Sequence, residues 1–199
     1  EMGLTHVVIT SVDRDDLKDD FGATIWAETI NQIHRMAPDC TVEVLTPDFQ
    51  GHLPSLKKVF EARPEIFSHN VECVERISKK VRTQSIWQRT KSVLEASIEF
   101  GLLTKTGLMV GLGETDDEVL ETMEEMASLG VEIFNVGQYL QPTKNHLEVD
   151  RFVHPNVFKM FKEKGLAMGY KVVESGPLVR SSYHADEQAK MYGVKSNQG

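Results

Sequence analysis

The chain has 199 residues, 30 of them acidic and 22 basic, for a formal net charge of −8. That length can bury a real core, and at 40% hydrophobic and 26% charged residues the composition is that of a globular protein. The acidic balance argues against a general nucleic-acid binder, and no apolar run reaches the ~20 residues of a membrane span. Two cysteines, Cys40 and Cys73, are too few for a disulfide framework, and alone too few for a structural zinc site or an iron–sulfur cluster.

Strand-like and helix-like segments alternate along the chain. His6-Val7-Val8-Ile9-Thr10 is a β-branched run of the kind buried on both faces of a parallel sheet. Trp26, Ile30, Ile33 and Ala37 mark one helical stripe, which Pro38-Asp39 ends. Thr41 to Leu45 reads as the next strand, Leu53 to Ala62 as a short helix, and Ile66 to Asn70 as a third strand. Ile86 to Phe100 is a helix with Gly101 at its C-terminal stop. Thr106 to Val110 is a fourth strand.

Thr115-Asp116-Asp117-Glu118 is a capping-box pattern opening a helix whose buried side is Val119, Leu120, Met123, Met126 and Ala127. Ile133 to Val136 is a fifth strand, followed by a long loop, a helix near 156–168 and a strand at Tyr170 to Val173. The order predicts an α/β fold with a parallel sheet. No dinucleotide fingerprint follows the first strand, which favours a barrel-like sheet over a Rossmann sheet. Six units do not close an eight-fold barrel, so the expectation is a partial barrel forming a single domain over residues 1–199.

In parallel α/β folds the working residues sit past the C-terminal ends of strands. After the first strand come Thr10, Ser11, Asp13, Arg14, Asp15 and Asp16, which suit a polar ligand or, more plainly, a solvated loop with an aspartate cap. After the third come His69, Asn70 and Glu72: a carboxylate beside an amide can hold a ribose diol, and a His with a Glu can hold a metal. The fourth carries Gly107, Met109, Gly111 and Gly113, where backbone can approach a ligand closely or simply turn into a capped helix.

The fifth strand leads to Gln138, Tyr139, Leu140 and Gln141, a pocket lining or a hydrogen-bonded loop. Near the end, Gly176-Pro177 precedes Arg180-Ser181-Ser182-Tyr183-His184, and no acid or nucleophile elbow supports a serine hydrolase there. His6, His34, His52, His146 and His154 show no metal-ligand spacing and read as surface or capping residues; both cysteines read as plain buried or half-buried thiols.

Taken together and in this order, these segments resemble the lipoyl synthase family of radical SAM enzymes. The resemblance is carried by Val8 to Leu17, Glu43 to Gly51, His69 to Glu72, Thr104 to Thr115, Gly137 to Pro142 and Gly176 to Ala185. It implies an α/β fold, a partial (β/α) radical SAM barrel lacking its first strand. It also implies S-adenosyl-L-methionine and two [4Fe–4S] clusters as cofactors, and insertion of two sulfur atoms at C6 and C8 of a protein-bound octanoyl-lysine. One cluster would cleave the cofactor to start hydrogen abstraction, and the auxiliary cluster would supply sulfur.

By the same resemblance Ser182, or failing it Ser181, ligates an iron of the auxiliary cluster, with Arg180 next door favouring the serine anion. Thr10, Ser11 and Asp13 face the methionine end of the cofactor, and Asn70 and Glu72 its ribose region. Gly107, Met109 and Gly111 present backbone to the adenine, and Gln138, Leu140 and Gln141 close the floor. The implied partners are an octanoylated lipoyl-carrier domain or protein and an electron donor such as ferredoxin or flavodoxin, with neither nucleic acid nor membrane. The implied compartment is the cytoplasm in bacteria or the mitochondrial matrix in eukaryotes.

The family's cluster cysteines, C-x4-C-x5-C and C-x-x-x-C-x-x-C, fall before the segment where this chain begins, and Cys40 and Cys73 match neither set. The chain therefore reads as the C-terminal two-thirds of such an enzyme, inactive alone. The alternative is a cluster-less module that binds S-adenosylmethionine or the lipoyl carrier without catalysis. A third reading places a divalent ion among Asp13, His69, Glu72 and Glu114. Lys18-Asp19-Asp20-Phe21-Gly22 departs from the Pro and paired glycines usual in the family at that loop.

Overall fold

A computed structural model describes residues 3–182, and the chain divides into two compact units. The described part of the first unit is residues 3–69 and 92–104; that of the second is 70–91 and 105–182. Tyr183 and His184 lie outside the described residues.

In the first unit β1 (His6–Thr10), β2 (Thr41–Leu45) and β3 (Ile66–Ser68) pair in parallel, with His6 opposite Thr41 and Glu43 opposite Ile66. Helices α1 (Ala23–Met36) and α2 (Leu53–Glu61) connect them. Val42 and Val44 of β2 meet Trp26 and Ile30 of α1 and Leu56, Val59 and Phe60 of α2 in one buried cluster. Phe60 sits edge-on to Phe67, with ring centroids 5.0 Å apart, an arrangement the ring quadrupoles favour. β2 is buried on both faces, even though Thr41, Val42, Glu43 and Val44 alternate polar and apolar.

The 18–22 loop is built by Asp20. Its carboxylate accepts from the backbone N–H groups of Gly22 (3.0 Å) and Thr24 (2.9 Å) and from Lys58 Nζ (3.0 Å). The Thr24 hydroxyl and then Lys58 hold this carboxyl well below its ordinary range. Gly22, in the left-handed region at φ 84°, starts α1. The departure from the family's loop sequence is thus an aspartate-capped turn.

In the second unit β4 (Leu103–Val110), β5 (Ile133–Gln138) and β6 (Val172–Gly176) pair in parallel from Lys105 onward, with Gly107 opposite Asn135 and Gly137 opposite Gly176. Helices α3 (Glu75–Val81), α5 (Asp116–Leu129) and α6 (Pro155–Ala167) belong here, and the division falls within α4 (Trp87–Glu99). The capping box at Thr115 is complete: its hydroxyl accepts from Glu118 N–H, and Glu118 returns the bond to Thr115 N–H. Glu118 also takes a two-pronged bond from Arg76, the main reason its carboxyl is held down to about 2.

Several boundaries differ from the sequence reading. β3 stops at Ser68 rather than Asn70, because the chain turns at Asn70–Glu72. β4 begins three residues earlier, and β6 is displaced to Val172–Gly176, Tyr170 instead being buried with its hydroxyl on Met123 O. Leu120 and Ala127 are only half-buried. Helix α3 went unread because its polar sequence buries only Ile77 and Ser78. His6 is no surface residue: the β1–β2 register seats its ring 2.6 Å from Thr41 Oγ1, with its side chain 5% exposed. His154 does cap α6, and both cysteines are buried.

Gly165 of α6 lies where a Cβ would come within 2.6 Å of Met123 Cε and 2.9 Å of Val173 Cγ2. An exposed helical glycine gains stability on becoming alanine. Here Gly165→Ala should instead lower stability by about 1 kcal/mol, since the Met methyl can swing away but branched Val173 cannot. Denaturant titration checks this; a raised midpoint would show that the α6 contact yields freely.

Candidate functional site

In the second unit a cavity opens at the C-terminal ends of β4 and β5. It is lined by Asn70 and Glu72, by Gly107 and Met109 of β4, by Asn135 and Gly137 of β5, and by Arg180 and Ser181. Its volume is about 90 Å³, room for part of a ligand, against the several hundred Å³ of a pocket that engulfs a drug-sized molecule.

Glu72 is fixed by its backbone. Its N–H donates to Gly107 O (3.1 Å), and its carbonyl accepts from Met109 N–H (2.9 Å), in a one-residue parallel bridge to β4. To make that bridge Glu72 adopts φ 68°, a left-handed conformation that costs a non-glycine residue about 1–3 kcal/mol. Burial pushes the Glu72 carboxyl up; Arg82, 4.0 Å away, and Asn70 oppose that only in part.

One wall is the chain's 179–181 segment. Lys105, 1% exposed, donates from Nζ to Ser181 O at 2.7 Å. Asn135 Nδ2 donates to Arg180 O (3.3 Å) and Ser181 O (3.4 Å), and Asn70 Nδ2 donates to Ser181 Oγ (3.0 Å). Gly137 lets the segment come this close, and Gly107 lets β4 and Asn135 of β5 approach. A Cβ on Gly137 would sit 2.4 Å from Val179 O, and one on Gly107 2.9 Å from Asn135 O.

The structure thus brings together Asn70, Glu72, Gly107 and Met109, with Arg180 and Ser181, of the residues the sequence singled out. Gly111 instead forms the turn into α5. Its N–H and that of Leu112 donate to the buried Glu114 carboxylate at 2.7 and 2.9 Å. A Cβ there would strike Gln138 Nε2 and Arg151 O. Gln138 binds Tyr139 O, Arg151 O and Val153 N–H, and Gln141 binds His146 O, so these amides pin the β5–α6 loop. Leu140 and Ser182 are exposed and do not line the cavity.

Thr10 and Ser11 belong to the first unit. There they line a separate groove of about 270 Å³ with Ile9, Phe21, Ile25 and Trp26, and Asp13 is outside its lining. Arg14, near them, is paired with Asp16 at 2.7–2.8 Å.

Sequence reading missed Lys105 and Asn135. Each is a long polar residue in the middle of a strand, flanked by apolar or small residues, and that break in pattern was the available signal. Among the described residues no group of three or more His, Cys, Asp or Glu side chains could hold a metal ion. His69 bonds Thr46 O, and Glu114 is spent on the turn, so the divalent-ion reading has no geometry behind it. Burial, then Glu72 and Glu114, push the Cys73 thiol up to about 12, which makes it a poor thiolate donor. The donor set fits one edge of a nucleoside: a carboxylate, amides and glycine backbone around a small void. It does not fit an iron–sulfur cluster.

The family model described as the radical SAM superfamily matches residues 1–126. The lipoyl synthase of Rubrobacter xylanophilus is 51% identical over 192 residues, covering 96% of this chain and 60% of that protein. The lipoyl synthase of Parabacteroides distasonis is 50% identical over 186 residues, covering 94% of this chain and 66% of that protein. The chain therefore spans under two-thirds of the length of these relatives. Among solved structures, that of methylornithine synthase superposes with a TM-score of 0.65 at 12% identity, over 90% of this chain and 60% of that one. At that identity the likeness is one of fold, and it agrees with the expected α/β class of the radical SAM barrels. No helix among the described residues is long and apolar enough to cross a membrane.

Gly137→Ala tests the close approach of the 179–181 wall. The new methyl meets a backbone carbonyl that cannot rotate away, so a loss of about 1–3 kcal/mol is expected. Amide hydrogen exchange should rise at 176–181 and not in β5; unchanged exchange would mean that the wall is not held by this contact.

Proposed function

The chain belongs to the radical SAM superfamily, and we propose that it supplies the greater part of a lipoyl synthase. Such an enzyme inserts two sulfur atoms at C6 and C8 of an octanoyl-lysine on a lipoyl-carrier protein, with electrons from a ferredoxin- or flavodoxin-like donor. The observation that carries the reading is the cavity of the second unit, with its strained Glu72, at the strand ends of a chain about 50% identical to lipoyl synthases.

S-adenosyl-L-methionine, when bound, supplies a one-electron route to hydrogen abstraction from an unactivated carbon. The chain's part is to bind, orient and exclude water. The Glu72 carboxylate and the Asn70 amide offer acceptors to ribose hydroxyls. The backbone of Gly107 to Met109 forms the floor beneath them. Arg180 and Ser181, held by Lys105 and Asn135, form the wall. The cysteine motifs that would ligate an iron–sulfur cluster are not in this chain. Ser182 is proposed as a ligand of the auxiliary cluster on the resemblance of Arg180-Ser181-Ser182-Tyr183 alone, and its exposure leaves the hydroxyl accessible.

A second reading, cofactor binding without catalysis by this chain, is favoured by the deep burial and raised thiol of Cys73. It predicts the same cavity and no turnover.

Two experiments test the proposal. The first is calorimetric titration with S-adenosylmethionine as a function of pH. The carboxylate is the acceptor form and burial raises its pKa, so affinity should climb as pH rises through a midpoint above the ordinary carboxylate value of about 4.3. Glu72→Gln should flatten that climb and weaken binding at neutral pH about ten-fold. A wild-type profile that is flat, or one that Glu72→Gln leaves unchanged, would remove Glu72 from the site.

The second experiment expresses the chain with its upstream reading frame and reconstitutes it anaerobically with iron and sulfide. Ser182→Ala should release iron from one cluster and leave the other intact. Equal iron content in both forms would exclude Ser182 as a ligand.

A further inference from the structure

One buried acceptor in the cavity has no partner. Asn135 is 5% exposed, and among the described residues its Oδ1 makes no hydrogen bond. A buried carbonyl oxygen without a partner costs about 1–3 kcal/mol, and the amide cannot recover this by flipping. Its Nδ2 faces two backbone carbonyls, Arg180 O and Ser181 O. Turning the amide over would set oxygen against oxygen, so the carbonyl end is held away from those groups by the same bonds that anchor the wall.

The surroundings point to a ligand rather than to a packing fault. Asn135 lines the same void as Glu72 and Asn70. It stands opposite Gly107 in the strand register, and the missing side chain at Gly107 leaves its backbone and Cβ uncrowded, a Cβ there coming within 2.9 Å of Asn135 O and 3.1 Å of Asn135 Cβ. Glu72, which also lines the void, is acceptor-only when ionised. A ligand that satisfies both presents hydrogen-bond donors to each and no anion.

We infer that Asn135 is a ligand-contacting residue whose Oδ1 accepts an N–H or O–H from the nucleoside part of the bound cofactor. This rests on the nucleoside-binding reading of the cavity and deepens it by adding a contact to a donor that Glu72 does not take. The amide works in two directions at once: nitrogen to the chain's own wall, oxygen to the ligand.

The test needs no cluster and no turnover. Adenosine is titrated calorimetrically into the full chain, alongside 2′-deoxyadenosine, 3′-deoxyadenosine and N6,N6-dimethyladenosine, each lacking one donor or donor pair. The same four probes are titrated into Asn135→Leu, of similar volume, and Asn135→Thr, which keeps an acceptor and a donor. Asn135→Leu should weaken adenosine about ten-fold, and should weaken one of the three analogues hardly at all, because that analogue has already lost the donor. Asn135→Thr should recover part of the loss.

A purely structural amide gives a different pattern: all four probes weaken equally, and that result overturns the inference while the nucleoside reading stands. Unchanged adenosine affinity in Asn135→Leu overturns it as well, since the free oxygen is then satisfied by water. If the unaltered chain binds S-adenosylmethionine but no nucleoside, the contact to the nucleoside is wrong. If it binds neither, the cofactor reading of the cavity falls, and the inference with it.

Discussion

The carbonyl of Ser181 receives a bond from the ammonium group of Lys105, a side chain buried to 1% exposure inside β4. Burying a lysine is expensive unless its donors are met, and here a backbone carbonyl meets one of them. The same residue is reached by Asn135 from β5 and by Asn70 from the turn after β3. Three side chains far apart in sequence thus hold one short stretch of backbone. The cavity exists because that stretch is held: without the 179–181 segment the second unit's strand ends would present an open surface.

Two further constraints follow from the close approach. Gly107 and Gly137 stand where any side chain would collide with Asn135 or Val179. The chain also accepts a left-handed glutamate at Glu72, stabilised by two backbone bonds to β4. Strain at a non-glycine residue persists only where its surroundings over-determine it. The carboxyl so fixed is also kept above its usual pKa by burial. Among the described residues, backbone strain, a raised carboxyl and an unpartnered Asn135 oxygen occur within one small void. A sequence selected only for stability would remove all three, which ties them to ligand binding in physical terms.

Much of the fold was readable from the residues. The β-branched run at Val7 to Ile9, the strand at Thr41 to Leu45 and the capping box at Thr115 act over a few residues, and each forms where its local chemistry says it should. The reading failed where local chemistry is weak. Helix α3 has too few apolar residues to show a period. The turn at Glu72 is held by a bridge to Leu108, thirty-six residues on, and no local signal announces it. His6 looked like a surface residue because its partner Thr41 is reached only through strand pairing.

The site divides in the same way. The sequence by itself determined the alternating α/β order, the superfamily and the polar residues that follow each strand, because spacing and residue type carry that information along the chain. Only the tertiary structure decided which of them meet. Asn70, Glu72, Gly107 and Ser181 converge on one cavity; Gly111, Gln138 and Gln141 hold turns and loops; Lys105 and Asn135, unremarked in the sequence, build the wall. The physical reason is that a side chain's role is set by which donors and acceptors lie within about 3 Å of it, and strand register and loop return, not sequence separation, bring those atoms together.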